Sequence, residues 1–529
     1  MNLIDPEAPG ALPDPTVCYR ALKARDRRFD GRFFTAVKTT GIYCRPVCPA
    51  RIPKRENCLF VASAAAAEAD GYRSCLRCRP EAAPGSPAWT GVQASVTRAL
   101  RLIDQGVLDT QNVDDLATRL GIGARHLRRL FVAHVGASPQ AVAATRRLAL
   151  AKQLITDTDL PMSEVAFSAG YQSLRRFNDA VRSAYKVSPS ELRRQKAKNK
   201  RPSTDCSQAA VDLTLRLGYR PPFAWDALIG YLAARAIPGV EQVVDGRYRR
   251  SFCLNGAQGL LEVENDGEAH RLLVRVLSND QVKIGMLTAR LRRLFDLDAD
   301  PEVIGAQLRH DPEMKKRVAK LPGLRIPGAF DGFELCVRAI LGQQVSVKGA
   351  TTLAGRLVER VGRPLDPGLM PDGSPWPGLV FPNAEILAAT PLDGLGMPGG
   401  RIKCIQQFAQ AVARGDVRLE VKQSLEDSIA ELTRLPGIGP WSAHYMALRA
   451  LGEPDAFPSG DMGLQKAAGG STRLTAKALE AKAAAWQPWR GYGALYLWND
   501  PRAGVPEKAA KRRPTGKRKT MAALRLAAE

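Results

Sequence analysis

Between positions 96 and 192, apolar residues recur at every third or fourth place, the spacing of one face of an α-helix. A turn over 121–123 precedes a helix whose inner face is made of Leu127, Leu130 and Phe131. The same succession returns 47 residues later, with a turn at 170–171 and an inner face made of Leu174, Phe177 and Val181. The repeat predicts an all-α domain with two helix-turn-helix units. An ordinary helical bundle with solvated arginines is the alternative.

The spacing of apolar and polar residues also divides the rest of the chain into predicted domains. Apolar and polar residues alternate as in strands within 208–290, and helical spacing dominates from Pro301 onward. Boundaries are indicated by a Pro-, Gly- and Ser-rich stretch, a basic polar run and a Lys- and Arg-rich C-terminus. We therefore predict a multidomain α+β protein with a small α/β domain at 1–85, the all-α double helix-turn-helix domain at 90–192, a basic linker at 193–207, a β-sheet subdomain at 208–290, an α-helical domain at 291–500 and a basic disordered tail at 501–529.

Charge indicates the class of partner. The 529 residues carry a net charge of +24, which favours a polyanion, with nucleic acid first and an anionic membrane second. Residues 91–207 and 507–529 hold more than half of this excess, and the C-terminal tail is predicted to be either a solvated end or a DNA tether. The sequence contains no run of eighteen apolar residues and begins without a secretion signal. The sequence thus predicts a cytoplasmic protein without a membrane partner, associated with the bacterial nucleoid when it binds DNA.

Four of the ten cysteines are grouped in the first segment. Cys44 and Cys48 form one close pair, Cys75 and Cys78 form a second, and 26 residues separate the pairs. Two such pairs are typical of one zinc ion held by four thiolates, because each short loop can direct two sulfurs at the metal. Spacing alone favours a zinc site that is purely structural.

The sequence around these cysteines closely resembles the N-terminal domain of the Ada methylation-response proteins. The resemblance rests on Phe34–Cys48, Arg55–Asn57 and Gly71–Cys78, and it extends over about residues 14–81. It implies that Cys44 is both a zinc ligand and the acceptor of a methyl group from a DNA methylphosphotriester. A zinc-bound thiolate stays deprotonated near neutral pH and remains nucleophilic, so this chemistry is physically consistent.

Basic residues lie on the outer face of the second helix of each helix-turn-helix unit, where they suit the major groove of double-stranded DNA. The pattern resembles the DNA-binding domain of AraC/XylS regulators, including the run Arg146–Ala149 on the joining helix. This resemblance implies a transcriptional activator that acts on promoter DNA with RNA polymerase as a further partner. The candidate DNA contacts are Arg125, His126, Arg128, Arg129, Ser173, Arg175 and Arg176.

A Leu-Pro-Gly-Ile-Gly string at 435–439 predicts a helix-hairpin-helix, in which backbone N–H groups of Gly437 and Gly439 grip a DNA phosphate. Asp461 follows downstream. The combination resembles the helix-hairpin-helix DNA glycosylases, and Arg338–Ser346 and Trp486–Tyr492 resemble the AlkA type. The resemblance implies that Asp461 is the catalytic carboxylate. Its alternative role is that of an ordinary helix N-cap.

Aromatic residues near the hairpin are candidates for holding a flipped, alkylated base. Trp441 and Tyr445 are four residues apart and share a helix face, while Trp486 or Trp489 could add a wall. By the resemblance, Gln344 takes the position of the residue that fills the gap in the base stack. Core packing is the alternative for each aromatic ring taken singly.

Two sequence features narrow the predicted chemistry. Bifunctional glycosylases carry a Schiff-base lysine just after the hairpin, but Trp441 occupies that place, so a monofunctional hydrolase is predicted. No iron–sulfur cluster is expected because the last cysteine is Cys404. The Pro-Cys-His-Arg string of the second Ada methyltransferase domain does not occur in the sequence.

The resulting hypothesis is a fusion that senses methylphosphotriesters, regulates transcription and removes alkylated purines such as 3-methyladenine. Two alternatives stay open at this level. In one, the glycosylase fold is only a DNA-binding platform of a transcription factor. In the other, the glycosylase is active and the zinc domain is structural.

Overall fold

A computed structural model of the chain describes residues 12–75, 77–78, 80, 83, 94–158, 160–197, 211–280, 282–371, 376–419, 424–470 and 472–500. The predicted tail at 501–529 lies outside these residues, as does the part of the predicted linker from 198 to 207. Helices and sheets occur in the predicted order, and the multidomain α+β class is confirmed. Among the described helices, none is long and apolar enough to cross a membrane.

The N-terminal domain is built on a four-stranded sheet in the order β3-β1-β2-β4. Only β2 and β4 run parallel, with Tyr43 paired to Ser74, so the residues that follow these two strands emerge at the same edge. Cys44 and Cys75 occupy that edge. The elements are α1 Pro15–Ala24, β1 Phe34–Val37, β2 Ile42–Cys44, β3 Cys58–Val61, α2 Ala64–Ala69 and β4 Arg73–Ser74, with 3₁₀ turns at Arg27–Phe29 and Arg55–Asn57.

In the described residues 94–158 and 160–197, the second domain has eight helices. They are α3 Ala94–Asp104, α4 Val107–Thr110, α5 Val113–Arg119, α6 Ala124–Val135, α7 Pro139–Asp157, α8 Met162–Ser168, α9 Leu174–Tyr185 and α10 Pro189–Ala197. Asn112 and Asp115 form a capping box that fixes the start of α5, and Ser173 caps α9. The predicted inner face of α6 is confirmed, since Leu127 and Phe131 are fully buried.

Two details of this domain differ from prediction. Leu174 was expected to face inward, but it is 42% exposed because it is the first residue of α9 and no preceding turn covers it. The predicted linker begins too early, since α10 continues to Ala197. The Arg193 guanidinium donates hydrogen bonds to the carbonyls of Ile155 and Leu160 at 3.3 and 2.7 Å, which holds α10 against the end of α7.

An antiparallel sheet of five strands follows, in the order β5-β9-β8-β7-β6. Its strands and neighbouring helices are β5 Val211–Gly218, α11 Trp225–Ala233, β6 Glu241–Val244, β7 Arg247–Leu254, β8 Ala257–Asp266, β9 Arg271–Ser278 and α12 Ile284–Leu294. One apolar core runs from the second helix-turn-helix unit into this sheet, and it includes Leu154, Phe177, Leu215 and Val274. The sheet and the second unit are therefore packed as one body.

The remaining part of the structure is helical apart from one short strand pair. It comprises α13 Pro301–Leu308, α14 Pro312–Lys320, α15 Gly332–Leu341, α16 Val347–Val361, β10 Arg363–Pro364, β11 Leu379–Val380, α17 Ala384–Ala389, α18 Gly399–Ala413, α19 Leu425–Thr433, α20 Pro440–Met446, α21 Met462–Gly469, α22 Ala476–Ala483 and α23 Arg490–Trp498. Helix α20 continues without a break as a π-helical turn over Ala447–Leu451. Short 3₁₀ turns cover Pro367–Leu369 and Ala484–Trp486.

Candidate functional site

The four predicted cysteine ligands come together at the edge of the N-terminal sheet. Their sulfur atoms all lie within 4.8 Å of one another, and the sulfurs of Cys48 and Cys75 are 4.0 Å apart. Four sulfurs at about 2.3 Å from a tetrahedral zinc ion would be separated by about 3.8 Å. The donor set and its spacing therefore fit a zinc ion held by Cys44, Cys48, Cys75 and Cys78.

The four cysteines differ in their access to solvent. Cys48, Cys75 and Cys78 are buried, whereas Cys44 is half-buried. Backbone N–H groups of Arg45 and Arg77 point at the sulfurs of Cys78 and Cys75, both at 3.4 Å, which favours the thiolate form. Cys44 is thus the ligand that an incoming group can reach most readily.

The cysteine cluster is also joined to the helical domain. The Lys152 ammonium on α7 donates to the carbonyl oxygen of Cys75 at 3.2 Å, and it lies over the ring of Tyr185 at the end of α9. The Tyr185 hydroxyl is within 3.1 Å of the Ser74 hydroxyl. Lys152 is 2% exposed, so this hydrogen bond to the backbone of the cysteine cluster lies in a dry environment.

The arginines predicted to contact DNA are exposed on α6 and α9. Arg125, Arg128 and Arg129 project from α6, and Arg175 and Arg176 lie in the first turn of α9. The ion pair of Arg128 with Asp114 is loose, at 3.8 Å, and both side chains are solvated. An arginine held as loosely as Arg128 can exchange this pair for a phosphate or a base edge, and Arg129 lies 3.1 Å from a ring nitrogen of His126.

Asp461 lies at the start of α21, where it is the N-cap. One carboxylate oxygen, Oδ1, accepts the Leu464 N–H at 2.9 Å and the Trp498 indole N–H at 3.3 Å. The other oxygen, Oδ2, accepts the Trp441 indole N–H at 3.0 Å. Asp461 is therefore an N-cap, as the alternative holds, but its carboxylate also accepts two indole N–H groups, which a simple cap does not need.

Three aromatic rings surround the carboxylate. Trp441 and Tyr445 are stacked, with ring centroids 5.4 Å apart and planes 11° from parallel. Trp498 meets Tyr445 edge to face at 6.2 Å. The faces of such rings, together with the nearby carboxylate, suit a flat, positively charged base.

Behind these rings lies a buried arginine. The Arg449 guanidinium donates to the hydroxyls of Tyr445 and Tyr231, both at 2.5 Å, and to the carbonyl oxygen of Pro327. Burial raises the pKa of Tyr231 to about 12. Burial also acts to raise the pKa of Tyr445, but the charges of Arg449 and Arg235 outweigh it and bring that pKa below its ordinary value. The hydrogen bond from Arg449 and the contact with the Tyr231 hydroxyl fix the Tyr445 hydroxyl.

The other two predicted pocket residues are not beside Asp461. Trp486 is fully buried, where its indole N–H donates to Asp311 at 2.9 Å and its ring packs against Phe457. Trp489 is 3% exposed and packs edge to face on Tyr492. Both rings belong to the domain core, and Trp498 is the further aromatic residue that contacts the carboxylate.

The hairpin and the turn that holds Gln344 form an adjoining surface. Gly437 has a φ of +87°, and a Cβ atom there would lie 2.9 Å from the sulfur of Cys404, so the turn requires glycine. The Gln343 side chain donates to the Gly437 carbonyl and the Ser442 hydroxyl at 2.9 and 3.1 Å. Gln344 itself is exposed at the tip of its turn, with a φ of +56°. The exposed glycines Gly437 and Gly439 lie beside it.

Three residues at this site were missed by the sequence analysis: Tyr231, Arg449 and Trp498. Trp498 is one of seven tryptophans, and no local pattern distinguishes it. Tyr231 lies on α11 in another subdomain, more than 200 positions before its hydrogen-bond partner. Arg449 follows Tyr445 by one helical turn, and this spacing is the only sequence signal that could have suggested it.

Four known families match successive parts of the chain. Residues 17–81 match the metal binding domain of Ada, and residues 116–195 match a helix-turn-helix domain. Residues 214–331 match the AlkA N-terminal domain. Residues 337–490 match the HhH-GPD superfamily of base excision DNA repair proteins.

Curated relatives match the chain over most of its length or over one part of it. The "Probable bifunctional transcriptional activator/DNA repair enzyme AlkA" of Mycobacterium tuberculosis is 43% identical over 91% of this chain and 95% of its own length. "DNA-3-methyladenine glycosylase 2" of Escherichia coli is 33% identical over 53% of this chain and 95% of its own length. The E. coli "Bifunctional transcriptional activator/DNA repair enzyme Ada" is 42% identical over 23% of this chain and 33% of its own length. The chain therefore belongs to the family of bifunctional AlkA proteins, in which an Ada-type metal-binding domain and a helix-turn-helix domain precede an AlkA-type glycosylase.

Proposed function

We propose that the chain is a bifunctional DNA alkylation-response protein. Its C-terminal part hydrolyses the N-glycosidic bond of alkylated purines such as 3-methyladenine. Its N-terminal part takes methyl groups from DNA methylphosphotriesters and regulates transcription. The observation that carries the proposal is the Asp461 carboxylate, which accepts indole N–H groups from Trp441 and Trp498 beside the stacked Trp441 and Tyr445.

Alkylation at purine N3 or N7 places a positive charge on the base and makes it a good leaving group, so the enzyme needs little general-acid help. As the bond from the sugar C1′ to the base breaks, its electron pair leaves with the base. Asp461 stabilises the positive charge that develops on the sugar and orients the water that adds to C1′; the added water then loses one proton to solvent and leaves a hydroxyl group on C1′. The faces of Trp441, Tyr445 and Trp498 hold the flipped base. Gln344 fills the vacated place in the duplex.

In the N-terminal domain we propose one zinc ion held by the four cysteines. Bound zinc keeps a coordinating thiol deprotonated at neutral pH. The Cys44 sulfur attacks the methyl carbon of the phosphotriester, forming a C–S bond. The bond between the methyl carbon and the phosphate oxygen breaks, and its electron pair stays on that oxygen. The phosphotriester thereby becomes an ordinary diester. The thioether product is stable, so each molecule reacts once.

We further propose that Arg125, Arg128 and Arg129 on α6 and Arg175 and Arg176 on α9 bind promoter DNA, and that RNA polymerase is a partner in activation. The exposure of these side chains on two consecutive helix-turn-helix units supports this role. An iron–sulfur cluster has no part in the proposal.

Methylation of Cys44 is expected to tighten DNA binding. Four thiolates around a divalent ion carry a formal charge of about −2, and conversion of one to a thioether reduces this to about −1. Because the cluster repels phosphate less after methylation, the dissociation constant for duplex DNA should fall, by about tenfold at low salt. Fluorescence anisotropy with the unmodified and methylated protein measures the change. Equal affinities would contradict this switch.

One experiment separates the proposal from its alternatives. The full chain is incubated with methylated DNA; released bases are identified by chromatography, and the methylated residue by mass spectrometry. We expect free 3-methyladenine and a single methyl group on Cys44. Base release without methylation of the protein would show that the zinc domain is only structural. Methylation of the protein without base release would show that the glycosylase fold serves only as a DNA-binding platform.

A further inference from the structure

A helix of the DNA-binding domain touches the glycosylase at the end of its pocket helix. The Arg101 guanidinium on α3 donates from Nη1 to the Leu451 carbonyl at 3.2 Å and from Nη2 to the Gly452 carbonyl at 2.7 Å. One turn earlier, Arg98 Nη2 lies 3.7 Å from a carboxylate oxygen of Glu453; the side chains are 6% and 12% exposed, respectively. We call Arg98 and Arg101 the α3 clamp.

The α3 clamp contacts the C-terminal end of a helix. The last carbonyl groups of a helix have no partner within it, and a positive charge at that end is favoured by the helix dipole. Leu451 ends the π-helical turn, and Gly452 leaves it with a φ of +71°. Burial lowers the pKa of Arg101 to about 10, so the guanidinium is still charged at neutral pH.

The clamped segment connects the parts of the candidate active site. The continuous helix over α20 and Ala447–Leu451 carries Trp441 and Tyr445, with Arg449 beneath them. The chain then runs from Gly452 to Gly460 and reaches Asp461. A shift of Leu451–Glu453 would therefore move the aromatic stack and the carboxylate relative to each other.

We propose that Arg98 and Arg101 are positioning residues for base excision, so that the DNA-binding domain completes the glycosylase site. They do not touch the base; they fix the end of the pocket helix and the start of the loop to Asp461. This inference rests on the proposed glycosylase activity. It adds that the catalytic geometry depends on residues outside the two matched glycosylase families, which begin at residue 214.

The test uses the full chain with Arg101→Met, which keeps much of the side-chain length but removes the donors. The single-turnover rate of 3-methyladenine release at saturating protein should fall about ten- to a hundredfold, because small displacements from the reactive geometry are costly. The protein concentration giving half-maximal rate should not change. Amide hydrogen exchange should accelerate over residues 447–461, while zinc content stays at the wild-type level.

Two variants complete the test. Arg101→Lys should restore part of the rate, because the ammonium still donates to at least one carbonyl oxygen. Arg20→Met, which removes an exposed arginine of α1, is the matched control and should behave as wild type.

A wild-type rate for Arg101→Met overturns the inference. The inference is also overturned if Arg101→Lys loses as much of the base-release rate as Arg101→Met and both variants show lowered thermal stability and faster amide exchange throughout the chain. If the wild type itself releases no base, the proposed function fails, and this inference fails with it.

Discussion

Replacement of Asp461 with asparagine is expected to reduce the release of 3-methyladenine by about a thousandfold, to a level near background. The asparagine amide carries no negative charge and cannot stabilise the positive charge that forms on the sugar. Asparagine is also a good N-cap, so α21 should remain folded and lesion-containing DNA should bind with unchanged affinity. Single-turnover base release and anisotropy with a lesion duplex measure the two quantities.

The chain contains a closely matched control for this substitution. Asp311 is also a helix N-cap, and its side chain accepts two backbone N–H groups and the indole N–H of Trp486, whereas that of Asp461 accepts one backbone N–H and two indole N–H groups. Asp311→Asn therefore repeats the same chemical change at the half-buried N-cap of α14, outside the group of rings around Asp461. We expect it to keep the wild-type rate. Retention of excision by Asp461→Asn, or equal losses in both variants, would refute the catalytic assignment.

Replacement of Cys44 with alanine is expected to abolish methyl transfer completely, since a thioether cannot form without the sulfur. Mass spectrometry of the protein after incubation with a methylphosphotriester duplex should find no added methyl group. The three remaining thiolates should hold zinc more weakly, which a chelator competition assay would measure. Base release by the C-terminal part should persist.

Cys58→Ala is the control in the same domain. Cys58 is buried on β3, where its thiol lies 3.3 Å from the Lys54 carbonyl oxygen, and burial raises its pKa. A protonated, buried thiol is a poor nucleophile, so this variant should accept a methyl group as the wild type does. A methyl group found on another cysteine of Cys44→Ala would reassign the acceptor.

The parts of the site that could be predicted from sequence are those built from short segments. Each cysteine pair lies within one loop, and the hairpin lies within one string, so residue types and spacing are enough to identify them. The stacking of Trp441 on Tyr445 follows from four-residue spacing on a helix. These features depend on local geometry, which sequence encodes directly.

Features formed between distant segments could not be predicted in this way. The string Trp486–Tyr492 supported the family resemblance, but its two tryptophans are core residues, and Trp498 contacts Asp461 instead. Tyr231 and the α3 clamp reach the site from other domains. Which of several aromatic or basic residues comes close depends on tertiary packing, and no spacing rule supplies that information.

The core shared by the second helix-turn-helix unit and the five-stranded sheet has a consequence for synthesis on the ribosome. Helix α10 ends at Ala197, but β9, an interior strand of the sheet, is finished only at Ser278, roughly 80 residues later. At a translation rate of about 5–20 residues per second, the apolar side of the second helix-turn-helix unit stays exposed for about 4 to 16 seconds before the sheet can pack against it. During that interval the nascent chain presents a hydrophobic surface to chaperones, and translation pauses within this stretch would lengthen its exposure to aggregation.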